Sequence, residues 1–264
     1  MLLLLNTTKT MDFSVPVLQD VVTSDPDLLR TAQILAGKVS KMTPQQLAEL
    51  MSLSDKLATQ THERFSLWGK PGQSKIPALF GFTGLIFKHL NASSLSKDQL
   101  NFARKNVRIL SGLYGLLEPF DLIERYRLEM GYKLAVGGFS NLVQFWREAL
   151  TVKLNNELTS GESIVSVASQ EYMKAIDIKK LDHPVIIPVF KEKHPDGSYK
   201  NAIVHAKKAR GEIIRYAIEN KAEAPKDLMG FSAMGWKAAD PPPDEGFWLF
   251  TRPVRQKKGE RTKQ

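Results

Sequence analysis

The chain begins with an apolar run at residues 1–5, and polar residues 6–9 follow at once. A short apolar run of this kind is typical of a fully buried strand. It has no positively charged flank and is far too short for a signal peptide or a membrane-spanning helix. The sequence therefore predicts that the chain opens with a buried strand, and we expect a cytoplasmic protein without a membrane partner.

Strand and helix patterns are interspersed along the rest of the chain without a regular βαβ order. The sequence predicts strands over 76–82, 164–168, 185–190, 201–205 and 247–250, with a turn at 195–197. It predicts helices over 27–38, from Thr43-Pro44 onward, and over 54–68, 96–110, 119–130, 141–158 and 207–220. This mixture predicts an α+β fold, in which one domain (1–251) holds a mixed β-sheet surrounded by helices.

The sequence lacks the residues that several kinds of catalysis and metal binding require. There is no cysteine among the 264 residues, which excludes disulfides, thiol catalysis and Cys-ligated clusters. The five histidines are scattered and form neither H-E-x-x-H nor E-x-x-H, so we predict no metal site and no evident metal cluster. The segment 230–235 misses the G-x-S-x-G elbow by one residue, and no phosphate-binding glycine loop is present. We assign no catalytic residue and no cofactor.

The net charge of +9 points to anionic partners. Six cations and one anion lie within residues 252–264, so this segment carries +5 and the body only +4. We predict that 252–264 is a solvated basic tail, with a weak nucleic-acid contact as the alternative.

The string LSGLYG (110–115) stands between two predicted helices. A helix-hairpin-helix uses such a turn and the next helix's N-terminus to hold a DNA phosphate. The alternative is an ordinary helix pair in which Gly112 ends the first helix. The candidate phosphate ligands are the turn and the polar face of the preceding helix, namely Arg104, Arg108, Ser111, Gly112, Tyr114 and Gly115.

A second candidate is the cluster AKKARG (206–211), predicted to lie in the first turn of a helix. Lys208 can pair with Glu212 four residues on, whereas Lys207 and Arg210 have no such partner. Cations in a first turn are unfavourable next to the helix dipole, and a bound anion would reverse that effect. Lys207 and Arg210 are therefore the leading anion ligands. The alternative is a later helix start, with the cluster in a solvated loop.

A third candidate set combines short polar motifs. Arg125 and Arg127 flank a tyrosine and could clamp a phosphate while the ring stacks a base, although Glu129 could simply pair with Arg125. After the predicted strand 164–168, a possible pocket or a plain helix cap is formed by Ser169, Glu171 and Tyr172.

Together, several strings resemble the peroxide stress protein YaaA family. They are SDKLA (54–58), LSGLYG (110–115), DLIERYRLEMG (121–131), QFW (144–146), AS-x-EY (168–172) and AKKARG (206–211). Lys9-Thr10 match the family's S-P-A-K-T, and the resemblance continues to about residue 236. It implies a cytoplasmic single-domain α+β protein that protects against hydrogen peroxide, lowers free iron, and binds duplex or branched DNA through a helix-hairpin-helix and a basic cleft that includes Lys9.

This chain departs from the family pattern at two places. Residues 6–8 read Asn-Thr-Thr where the family has Ser-Pro-Ala, and residues 82–85 read Phe-Thr-Gly-Leu where it has F-K-G-D. Our leading hypothesis is sequence-independent DNA binding in peroxide defence. The alternative is an enzyme acting on a phosphate-bearing or nucleotide-like small molecule, with Lys9, Lys207, Arg210 and Glu171 in a pocket. The sequence does not indicate an oligomeric state.

Overall fold

The opening apolar run forms strand β1 (Leu2–Asn6), whose residues 2–5 are buried, as predicted. The structure is a computed structural model that describes residues 1–16, 21–239 and 246–254. The other strands in these ranges are β2 (Ile76–Pro77), β3 (Val107–Ser111), β4 (Gly115–Leu117), β5 (Leu122–Ile123), β6 (Ile164–Ser166), β7 (Val185–Lys193), β8 (Tyr199–Asn201), β9 (Lys237–Ala238) and β10 (Phe247–Pro253). The helices are α1 (Leu29–Val39), α2 (Pro44–Met51), α3 (Asp55–Leu67), α4 (Ala78–Gly81), α5 (Leu85–Leu90), α6 (Lys97–Asn106), α7 (Leu142–Glu157), α8 (Gln170–Met173) and α9 (Ile203–Glu219).

Eight of these strands form one mixed sheet, which confirms the predicted fold class. The strand order is β4-β3-β1-β6-β7-β10-β9, and β8 pairs with β7. β1 runs parallel to β3 and β6, and β7 runs parallel to β6 and β10, whereas β4, β8 and β9 are antiparallel to their neighbours. β1, β3 and β6 therefore end at one edge of the sheet, where loops after parallel strands commonly carry a site.

Local signals fixed several element boundaries correctly. Thr43 and Ser96 each accept a backbone N–H from the residue three positions on, and so begin α2 and α6 as capping boxes. The turn at 195–197 joins β7 to the antiparallel β8, as predicted. None of the helices in the described ranges has the length and apolar character needed to cross a bilayer.

The region after α6 differs from the prediction. The helix ends at Asn106, and the wholly buried strand β3 follows, so LSGLYG joins two antiparallel strands rather than two helices. The predicted helix over 119–130 is also wrong, because this segment contains only the short strand β5 and irregular backbone. An apolar run such as 107–117 fits a buried strand as well as a helix, and here strand pairing with β1 decides between them.

Three further boundaries moved. The strand predicted over 76–82 stops at Pro77 and gives way to α4. The strand predicted over 201–205 ends at Asn201, and α9 begins at Ile203. Arg252, assigned to the tail, lies in β10 and donates two hydrogen bonds to Glu192 on β7, with lengths of 2.7 and 3.1 Å. Residues 255–264 of that tail lie outside the described residues.

Candidate functional site

The polar groups of the turn in LSGLYG (110–115), called the glycine turn below, form hydrogen bonds within the protein. The Ser111 hydroxyl accepts the N–H groups of Leu113 and Tyr114, at 3.2 and 2.9 Å, and lies 2.7 Å from the Tyr126 hydroxyl. Gly112 accepts a hydrogen bond from the Trp146 indole at 3.0 Å through its carbonyl. The residues of the turn are buried, so their N–H groups are not accessible to a phosphate, and the predicted helix-hairpin-helix is corrected to a β-hairpin.

The two arginines near this turn also bind inside the protein. Arg104 stacks its guanidinium over the Phe120 ring, 4.4 Å from the centroid, and donates to the Val22 carbonyl. Arg108 is buried and pairs with Glu157 at 2.5 Å. The structure does not bring either of them to the groove described next.

The basic cluster on α9 lies in a different position from the one predicted. Because α9 begins at Ile203, Lys207, Lys208 and Arg210 follow the first turn, and the argument from the helix dipole does not hold for them. The predicted partner of Lys208 is engaged elsewhere, since Glu212 contacts His89 at 2.7 Å.

A groove of about 720 Å³ lies beside this helix and is the strongest candidate site in the described part of the chain. Lys207 and Arg210 both line it, whereas Lys208 does not. The sequence missed its other charged residues, which come from segments distant in the chain: Arg147, Lys174, Asp177 and Lys179. The groove therefore gathers five cations and one carboxylate.

Arg210 differs from the other groove cations in having a buried donor without a partner among the described residues. Its Nε atom is buried and has no hydrogen-bond partner, and burial lowers the pKa of its guanidinium. A desolvated cation is stabilised when an anion binds to it. Arg147, in contrast, already donates to the Lys174 carbonyl at 3.0 Å. An anionic ligand in the groove would therefore supply Arg210 with the acceptor that it lacks.

The walls of the groove are apolar. Ile178, Ile203 and Phe247 line it and are exposed, with Ile203 at 72%. A groove with apolar walls and a surplus of cations suits a ligand that combines phosphates with flat or apolar surface.

A second set of cations gathers around Lys9 and the segment 125–129. The structure brings Lys9 to the Arg125–Arg127 segment, where its ammonium pairs with Glu129 at 2.8 Å. That hydrogen bond raises the pKa of Lys9. Tyr126 is buried and cannot stack a base, so this part of the prediction is wrong. The sequence also missed Arg64 on α3, whose pKa is lowered by burial and by the charges of Arg125 and Arg127.

The three residues of the possible pocket do not line the groove. The N–H of Ser169 donates to Asn6 at 2.9 Å, and the Glu171 carboxylate accepts the N–H of Gly131 at 3.0 Å. Tyr172 is buried with its hydroxyl 3.1 Å from that of Thr7, and burial raises its pKa. Their neighbours Ala168 and Gln170 line the groove instead.

The two departures from the family pattern touch one another. The Gly84 N–H donates to the Thr8 hydroxyl at 3.2 Å, and a Cβ at Gly84 would collide with the Thr8 side chain. A hydroxyl–backbone contact therefore occupies the place where both altered segments meet. Across residues 1–16, 21–239 and 246–254, no group of three or more His, Asp or Glu side chains is arranged to hold a metal ion.

Comparison with known proteins gives a consistent result. Residues 1–241 match the family described as "Peroxide stress protein YaaA". A UPF0246 protein of Colwellia psychrerythraea is 40% identical over 256 residues, which cover 96% of this chain and 99% of the relative. A UPF0246 protein of Flavobacterium johnsoniae is 43% identical over 216 residues, covering 81% of this chain and 85% of the relative.

Proposed function

This chain belongs to the peroxide stress protein YaaA family, and from that premise we propose that it binds duplex or branched DNA through phosphate contacts in the basic groove. The observation that carries the proposal is that Lys207 and Arg210 line the same groove as Arg147, Lys174 and Lys179, where the only carboxylate among the described lining residues is Asp177. Phosphate contacts of this kind position a protein on nucleic acid without reading its sequence. In this proposal DNA binding serves the peroxide stress role of the family.

Binding through phosphate contacts predicts how affinity depends on salt and on the form of the DNA. Each phosphate held by a cation releases condensed counterions, so affinity falls steeply with salt. The glycine turn takes no part in it. The apolar walls add a preference for branched DNA, because a branch point exposes base faces that Phe247 and its apolar neighbours can contact.

An enzyme acting on a phosphate-bearing small molecule is the second candidate. One observation favours it, because about 720 Å³ is within the usual size of small-molecule pockets. Of the four residues expected in that pocket, Lys207 and Arg210 line the groove, while Lys9 and Glu171 are engaged by Glu129 and Gly131.

We also propose, from the family resemblance, that the protein limits free iron during peroxide stress. Measuring chelatable iron in peroxide-treated cells that carry the wild type or a groove variant tests this role. Loss of iron control in Lys207→Ala cells would connect it to the groove.

The test of DNA binding is a fluorescence anisotropy titration at several salt concentrations. We expect similar affinities for unrelated duplexes, and a log–log slope of about −0.9 for each phosphate contacted. Absence of binding at low salt would overturn the proposal. Full competition by a mononucleotide, with no gain in affinity as the DNA is lengthened, would favour the small-molecule enzyme.

A further inference from the structure

Burial alternates strictly along the segment that follows β5. Residues 124, 126, 128 and 130 are buried, whereas Arg125, Arg127 and Glu129 are only partly buried. Alternation of this kind places the three charged side chains on one face of an extended chain. On the opposite, buried face, the Tyr126 hydroxyl lies 2.7 Å from the Ser111 hydroxyl.

The positive charge on this face is not balanced. Lys9 and Glu129 neutralise each other at 2.8 Å. Arg64 makes no hydrogen bond or ion pair to any described residue, and its electrostatic neighbours are the like-charged Arg125 and Arg127. Arg125 lies over the Phe13 ring, 4.3 Å from the centroid, and donates to the Met11 carbonyl at 3.3 Å. Its charge also lowers the pKa of the Asp12 carboxyl. Within the described ranges, the positive charge that remains without a neighbouring carboxylate is therefore that of Arg64 and Arg127.

Arg127 adds an unsatisfied donor to this imbalance. Its Nε atom is buried and has no hydrogen-bond partner in the described part of the chain. A buried guanidinium N–H without an acceptor is costly, and a carboxylate or phosphate oxygen is the acceptor that its geometry fits best. The free donor and the surplus positive charge therefore both indicate an anionic ligand.

We propose that Arg64, Arg125 and Arg127 form a second anion site that takes the terminal phosphate of a small molecule, either inorganic phosphate or a phosphomonoester. Three guanidiniums suit a group that carries nearly two negative charges and three free oxygens. A phosphate within a DNA backbone carries one charge and two free oxygens, and so matches this cluster less well. Glu129 is held away from this role by its own partners, because it pairs with Lys9 at 2.8 Å and accepts from the Tyr132 hydroxyl at 3.4 Å.

The site is independent of the DNA-binding proposal, because it shares no residue with the lining of the basic groove. Its cations come from α3 and from the segment after β5, and the two are joined before any ligand arrives, because the Gly69 N–H just after α3 donates to the Glu124 carboxylate at 2.8 Å. A cluster held in this way is preorganised for its anion.

Isothermal titration calorimetry with inorganic phosphate and with glycerol phosphate, at low salt, tests the proposal. We expect both probes to bind, and Arg64→Gln and Arg127→Gln each to weaken binding by about tenfold or more. The matched control is Arg30→Gln, which removes the same charge from an exposed position outside the cluster and should leave binding unchanged. Lys207→Ala should also leave it unchanged.

A thermal unfolding measurement without ligand separates a binding role from a structural one. Because Arg64→Gln removes one of three like charges, its melting temperature should equal or exceed that of the wild type. If Arg64 had a structural role instead, the substitution would lower the melting temperature. The proposal is overturned if neither probe binds, if Arg30→Gln weakens binding equally, or if only duplex DNA binding depends on Arg64. If Arg127→Gln does not fold, Arg64→Gln alone provides the test.

Discussion

Arg108 on β3 donates to Glu157 at the end of α7, with 2.5 Å between the guanidinium Nε and the carboxylate Oε2. Both side chains are nearly buried, and Lys153 holds the other carboxylate oxygen at 2.9 Å. The pair therefore joins the helix to the sheet and keeps Arg108 away from solvent.

Replacing Arg108 with Met should destabilise the protein by about 3 kcal/mol, because it leaves Glu157 buried with one partner fewer. Urea unfolding measures this loss. DNA affinity of the folded variant should be unchanged, since Arg108 does not line the groove. Weaker DNA binding at full stability would show instead that Arg108 contacts the nucleic acid.

Gly112→Ala should lower stability by about 1–3 kcal/mol. A Cβ there would collide with the backbone carbonyl of Leu128, which cannot move aside as a side chain can. Gly37→Ala is the control, because Gly37 is helical with open space around it and should gain about 0.5–1 kcal/mol. Chemical denaturation compares the two, and DNA affinity per folded molecule should stay constant. A specific loss of affinity in Gly112→Ala would reinstate the turn as a phosphate ligand.

Sequence reasoning succeeded where local patterns determine the structure. The proline at the start of α2, the capping box of Ser96 and the apolar run of β1 need no tertiary information. It failed at LSGLYG, because two glycines around an apolar pair suit a turn between strands as well as one between helices. It also placed the start of α9 four residues too late, since Ile203 is exposed and carries no apolar stripe or cap to mark the helix.

Only some residues of the groove could be predicted from the sequence, for a related reason. Lys207 and Arg210 stand in a recognisable cluster, and both line the groove. Arg147 and Lys174 are single cations in unremarkable surroundings, and only folding brings them to Lys207. Arg64 was missed in the same way, because its neighbours Arg125 and Arg127 are distant in the chain.

Acid should remove one identified contribution to stability. Glu162 accepts hydrogen bonds from the amino terminus of Met1 at 2.7 Å and from Thr159, and these lower its pKa to about 2 from a usual 4.5. Because the folded pKa is depressed, the stabilisation is fully present above about pH 4.5 and is lost as the pH falls toward 2.

Glu162→Gln tests that assignment by thermal unfolding across this pH range. The wild type should be the more stable protein at pH 6, and the two melting temperatures should converge as the pH approaches 2. A difference that persists unchanged at the acid end would contradict the role of the carboxylate charge.

Phe247→Ala should reduce the preference for branched DNA. Phe247 is exposed in the groove, and stacking of one base on an aromatic ring contributes about 1–3 kcal/mol. We expect the wild type to bind a four-way junction more tightly than a duplex of equal length, and the variant to lose that difference. Phe139→Ala removes an exposed ring outside the groove and is the control. Equal affinity of the wild type for both DNA forms would remove the role of the apolar walls.

The most direct test of the central claim compares three neighbouring cations on one helix. Lys207→Ala, Arg210→Ala and Lys208→Ala each remove one positive charge within four positions, but only the first two remove a groove residue. Anisotropy titration of one duplex at fixed low salt gives the affinities. We predict that Lys207→Ala and Arg210→Ala weaken binding by about tenfold and each reduce the salt slope by about one contact, while Lys208→Ala stays near the wild type. Equal losses in all three variants would mean that the cluster acts as diffuse charge, and would contradict DNA binding in the groove.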